Sequence, residues 1–108
     1  MITMISIKEL QKSVMEQAIE KGWGVRPEDI NVGEKIALIH SEISEALEAY
    51  RKGNMAGKDG FGEELGDAAF RLIHLAGIFG VDLEKEILEK MEINKTRSWE
   101  NDKLKEKR

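Results

Sequence analysis

Apolar residues recur every three to four positions through two long stretches, about 32–51 and 61–79, and that spacing leaves this chain little to form besides packed α-helices. In the first stretch Ile36, Ile39, Ile43, Leu47 and Tyr50 fall on one stripe; in the second Leu65, Ala69, Leu72, Ala76 and Phe79 do the same. The chain's single proline, Pro27, lies outside both stretches, so neither is interrupted. Helices are therefore expected over these two segments, each with one broad apolar face.

Two further helices complete the pattern. Ser6 to Glu9 has the form of a capping box, and Ile7, Leu10, Val14 and Ala18 give a stripe that predicts a helix to about Lys21. Gly22-Trp23-Gly24 breaks it, and Arg26-Pro27-Glu28-Asp29 reads as a connector to a second helix capped near Asn31. Glycines at 53, 57 and 60 mark a loop between the second and third helices. Gly80-Val81-Asp82 ends the third helix and caps a fourth over about 83–96, with Leu83, Ile87, Leu88 and Met91 apolar. No internal repeat of solenoid length is present. The expectation is an all-α fold, a small four-helix bundle over residues 1–98 followed by a charged tail over 99–108.

Composition narrows the function classes. A chain of 108 residues makes one domain, short enough that association with a second copy would help its stability. Without cysteine it has no disulfide framework, thiolate metal site or thiol nucleophile. A net charge of −4 argues against polymeric nucleic acid as a partner, because backbone phosphate is held by clustered Lys and Arg. The apolar runs are too short for a membrane span and the first residues lack the layout of a secretion signal, so a cytoplasmic protein is expected.

Each of the two central helices carries an acidic pair. Glu42 and Glu45 project to one side of the second helix, Glu64 and Asp67 to one side of the third, so four carboxylates are able to converge. Carboxylates gathered away from water are strongly unfavourable unless cations offset their repulsion. Oxygen-only ligands suit Mg²⁺, with Mn²⁺ as a substitute. Leu38 and Ala49 frame the first pair, unlike a plain solvated stripe. On the third helix Glu64, Asp67, Arg71 and His74 share a narrower polar strip, where Arg71 is expected to anchor Asp67.

The fourth helix carries a second constellation. Lys90, Asn94 and Arg97 share one face near its end and match the charge and hydrogen-bonding of a di- or triphosphate; cations that merely complement the helix dipole are the plainer reading. Trp23 is a candidate to stack on a nucleobase, as is Trp99, although packing is the commoner role of tryptophan in a small core. His40 reads as a core or interface histidine, and His74 as a structural residue before a metal ligand. Helices two and three carry more apolar surface than four short helices can cover, so at least a homodimer is expected.

The stretches Glu34 to Arg51, Phe61 to Asp67 and Lys90 to Arg97 together resemble the MazG-like all-α nucleoside triphosphate pyrophosphatases, whose signature is an ExxE pair, an ExxD pair on the next helix, and a downstream lysine with Asn-x-x-Arg. Glu42 and Glu45 match the first pair, Glu64 and Asp67 the second, and Lys90, Asn94 and Arg97 the third element. Where many members place another glutamate before the first pair, this chain has Ser41. The resemblance implies hydrolysis of a nucleoside triphosphate to monophosphate and pyrophosphate, Mg²⁺ on the four carboxylates, Glu42 or Glu45 positioning the attacking water, Lys90, Asn94 and Arg97 on the distal phosphates, and assembly as a dimer or as a tetramer built from dimers.

Two rival readings come from other classes. A ferritin-like di-iron bundle needs Glu-x-x-His pairs, and Ala37 and Arg71 stand where those glutamates would precede His40 and His74. A non-catalytic MazG-like module would bind nucleotide or protein without turnover.

Overall fold

The computed structural model describes residues 4–97, which form four α-helices: α1 (Ile7–Lys21), α2 (Val32–Arg51), α3 (Phe61–Ile78) and α4 (Leu83–Thr96), with no strand among the described residues. The tail over 99–108, with Trp99, lies outside them. Local chemistry sets the helix starts. Ser6 Oγ accepts from Glu9 N and Glu9 Oε1 accepts from Ser6 N, both at 3.0 Å, which is the expected capping box. Asn31 and Asp82 cap α2 and α4 by accepting from Glu34 N and Lys85 N.

The start of α3 is built differently. Its N-cap, Gly60, has no side chain to offer, and the loop satisfies the first amides instead: Phe61 N donates to Asn54 O at 2.9 Å and Gly62 N to Met55 O at 3.3 Å. Gly60 also lies so close to Ala56 that a Cβ would stand 2.8 Å from that residue's carbonyl carbon and oxygen. Only glycine fits this crossing.

The connector between α1 and α2 is equally ordered by local bonds. Pro27–Asp29 makes a single 3-10 turn. Asp29 Oδ2 accepts from Val25 N at 3.2 Å and Arg26 N at 3.1 Å, while Oδ1 takes the Arg26 guanidinium at 3.2 Å. The Arg26 side chain, together with these amides, holds the Asp29 carboxyl below its ordinary pKa.

Packing departs from the sequence expectation in one instructive way. α2 and α3 make the most extensive pairing, α1 lies on α3, and α4 touches mainly α1. Among the described residues the buried apolar ones are Val14, Ala18, Ala46, Ala49, Ala68 and Ile78, mostly alanines, with no large side chain fully enclosed. The stripes that dominate the sequence pattern, Ile36, Ile43, Leu47 and Tyr50 on α2 and Leu65, Leu72 and Phe79 on α3, are exposed. Their counterparts turn inward: Ala46 and Ala49 on the side of α2 that carries Glu42, and Ala68 and Ile78 on the side of α3 that carries Glu64 and His74. Small residues let two helices approach closely, so the chain builds its interior on the faces bearing its acids and leaves its bulkiest apolar faces uncovered.

α4 is secured at its root. Gln11 Nε2 donates to Val81 O at 2.7 Å, Lys8 N to Glu84 Oε1 at 3.1 Å, Leu83 N to Gln11 Oε1 at 3.4 Å, and Lys8 Nζ lies 3.9 Å from Asp82 Oδ2. α4 contributes no buried residue along its length. Among the described residues no helix is long and apolar enough to cross a membrane.

Candidate metal centre

The acid-bearing faces of α2 and α3 meet where the two helices pack, and three carboxylates come together there. Glu42, Glu64 and Asp67 offer oxygens that all lie within 4.8 Å of one another. Glu64 is the innermost, only 7% exposed; Glu42 is half-buried and Asp67 faces solvent. Burial raises the pKa of the Glu64 carboxyl, and the negative charges of Glu45, Glu42, Asp67 and Asp59, in that order, raise it further. An acid held this way is one that a cation would relieve.

Glu45 stands outside the group of three. One helical step of three residues turns it away from Glu42 by about 60°, and it is exposed in a cavity of about 220 Å³ that it lines with Glu48, Lys52, Asn54, Asp59 and Glu64. Glu42 and Asp67 instead line a cavity of about 320 Å³, with Trp23, Lys35, Phe70, Arg71 and His74. The carboxylates thus form a partition with a cavity on each side. The donor set is all oxygen, and it suits a hard divalent cation in size and charge.

Arg71 does not anchor Asp67 as its spacing suggests. Its Nε lies 3.7 Å from Glu42 Oε2 and so ties α3 to α2 across the cavity wall. The helix crossing brings Glu42 within its reach, and a contact between helices is invisible in an i,i+4 pattern. The other lining groups follow from the glycine break after α1. His74 is buried with Nε2 2.8 Å from Gly24 O; a carbonyl only accepts, so Nε2 carries the proton and donates. This bond brings Trp23 against α3, where its ring meets Phe70 edge-on at 5.9 Å and 87° and His74 at 6.1 Å. Trp23 therefore packs and lines the cavity at once, while half of it remains open. His40 is exposed.

Lys35, Phe70 and Asp59 were not singled out by the sequence reasoning. Lys35 lies seven residues, two helical turns, before Glu42, a spacing that places both on one face and that marks it in retrospect. Asp59 gives no such signal: it sits in the glycine loop with φ 58 and donates its amide to Glu63 Oε1 at 3.0 Å. Lys90 and Asn94 are on α4 and Arg97 is its extended C-cap, and none of the three lines either acidic cavity of its own chain. Comparison with protein-family models, with curated proteins and with solved structures returns no match to this chain.

Proposed function

We propose that this protein is a Mg²⁺-dependent nucleoside triphosphate pyrophosphohydrolase of the MazG-like type, converting a ribo- or deoxyribonucleoside triphosphate and water to the monophosphate and pyrophosphate. The observation that carries the reading is the convergence of Glu42, Glu64 and Asp67 on a partition beside a cavity walled by aromatic and cationic side chains. A divalent ion on these carboxylates, Mg²⁺ or Mn²⁺ in its place, would neutralise phosphate charge and acidify a water.

The side chains divide the remaining work. Glu42, Glu64 and Asp67 hold the cation. Glu45, exposed and outside that trio, is positioned to join it or to orient the attacking water and take its proton as the oxygen bonds to the α-phosphorus and the bond to the β-phosphate oxygen breaks. Glu42, paired with Arg71, is the second candidate for that role. Trp23 and Phe70 supply faces for a base, and Lys35 and Arg71 positive charge for phosphate. Lys90, Asn94 and Arg97 are assigned to the departing pyrophosphate. The proposed substrate, a free nucleotide, supports a cytoplasmic location.

The working unit in this proposal is a homo-oligomer, a dimer or a tetramer of such pairs. The bulky stripes of α2 and α3 are left open by a single chain, and soluble proteins seldom leave so much contiguous apolar surface in water. Incubation with Mg²⁺ and a panel of ordinary and damaged nucleotides, read by pyrophosphate release, tests the activity. Release that is lost in Glu42→Gln and Asp67→Asn is the expected result; no release from any nucleotide refutes hydrolysis and leaves a non-catalytic binding module.

A further inference from the structure

Among the described residues Arg71 is the one cation within ion-pair distance of the group formed by Glu42, Glu64 and Asp67. Its choice of partner is informative. Asp67 lies one turn earlier on the same helix and faces solvent, the ordinary partner at that spacing, yet the guanidinium crosses to α2 and stands 3.7 Å from Glu42 Oε2. The Glu42 side chain is only 14% exposed, so water and salt screen this pair less than an ion pair on the surface. At that distance the contact is a charge pair without a hydrogen bond. Arg71 donates no hydrogen bond among the described residues, so its fork of N–H groups is uncommitted in a cavity that it lines with Lys35 and Trp23.

We infer that Arg71 is a resident cation that competes with the divalent ion for Glu42 and gives that carboxylate up when the phosphates of a nucleotide enter the cavity and take its guanidinium. A phosphate offers the fork the planar two-point match that a single carboxylate oxygen at 3.7 Å does not. If the guanidinium holds Glu42 about nine-tenths of the time, the ion binds the nucleotide-free protein about tenfold more weakly than the bare carboxylates would allow. Phosphate removes that handicap, and by linkage the ion and the nucleotide each strengthen the other's binding by the same factor. The protein therefore takes up its ion chiefly together with a nucleotide. Arg71 is in this sense a positioning residue, acting on the ion through Glu42.

This inference takes its nucleotide from the hydrolase reading, and equilibrium binding separates the two because it needs no turnover. Wild-type and Arg71→Gln proteins are titrated calorimetrically with Mn²⁺ alone and, in EDTA, with an α,β-imido nucleoside triphosphate. The expected signs are opposite: Mn²⁺ binds the variant about tenfold more tightly, and the analogue binds it about tenfold more weakly through the lost charge-assisted contact. A residue that only supported the fold would weaken both. Arg71→Met, similar in reach and without hydrogen-bonding groups, should repeat both signs. Lys35→Gln removes a charge from the same cavity without touching the carboxylates, and should shift Mn²⁺ affinity by no more than about twofold. A Lys35→Gln shift equal to that of Arg71→Gln, or Mn²⁺ affinity unchanged or lowered, or analogue affinity unchanged, in either folded Arg71 variant, overturns the exchange even where the wild type hydrolyses nucleotides. Opposite signs in a protein that releases no pyrophosphate support the exchange and remove the hydrolysis. A wild type that binds neither Mn²⁺ nor the analogue overturns both.

Discussion

Truncating the open stripe of α2 should break self-association by an amount that the structure sets. Ile43 and Leu47 are 50% and 49% exposed in a single chain, so roughly half of each side chain is left for a partner to cover. Full burial of such a side chain is worth about 1.5–3 kcal/mol, and the uncovered half therefore about 1 kcal/mol. In a two-fold assembly every substitution counts twice, so Ile43→Ala with Leu47→Ala removes about 4 kcal/mol, or roughly a thousandfold in dissociation constant at 1.4 kcal/mol per decade. Sedimentation velocity across a wide concentration range measures this directly. A wild-type protein that sediments as a 12.2 kDa monomer throughout, or a double variant with an unchanged dissociation constant, refutes the reasoning.

Other outcomes follow from single contacts. Glu64→Gln should raise the melting temperature of metal-free protein at neutral pH: a carboxyl whose folded pKa is raised keeps its full contribution below its unfolded value and loses it as pH climbs through the folded one. Calorimetry should show that advantage shrink as pH falls through the raised folded pKa and vanish below the ordinary carboxyl value of 4.5, and excess Mg²⁺ should stabilise the wild type more than the variant. Gly60→Ala forces a methyl into the Ala56 backbone, and such overpacking costs about 1–3 kcal/mol; at about 4–8 °C per kcal/mol the loss is readily seen by thermal melting, and an unchanged midpoint would show that the loop yields. His74→Phe strands the Gly24 carbonyl, for about 1–3 kcal/mol, and should also blue-shift or otherwise alter Trp23 fluorescence; identical spectra and melting would mean that Trp23 is held by other means.

What was legible in the sequence divides along a physical line. Helix limits are written in short-range chemistry: the Ser6 box, the Asn31 and Asp82 caps and the glycine breaks are interactions between residues three or four apart, and the limits of α1, α2 and α4 match their expected positions, with α3 ending at Ile78, one residue short. The meeting of Glu42, Glu64 and Asp67 was legible in part, because helical spacing puts the acids on facing sides before any packing is known, whereas Glu45, expected beside them, stands outside the group. The direction of the faces was not. Ile36, Ile43 and Leu47 advertise a core more loudly than Ala46 and Ala49, yet close approach favours the smaller side chains, and hydrophobicity alone does not say whether a face is covered by its own chain. Contacts between elements, Arg71 with Glu42 and His74 with Gly24, depend on that choice and were beyond reach for the same reason.

The alanine interior between α2 and α3 has a mechanical meaning. Ala46, Ala49 and Ala68 act as spacers whose single methyl groups fix how far apart the two carboxylate-bearing rods stand. Swapping Ala46 for valine would wedge the rods apart, and the gap between Glu42 and Asp67 would widen with them. In this protein the width of the interior and the spacing of the carboxylates are one dimension, so selection for tighter filling of the middle would pull apart the group that could hold a cation.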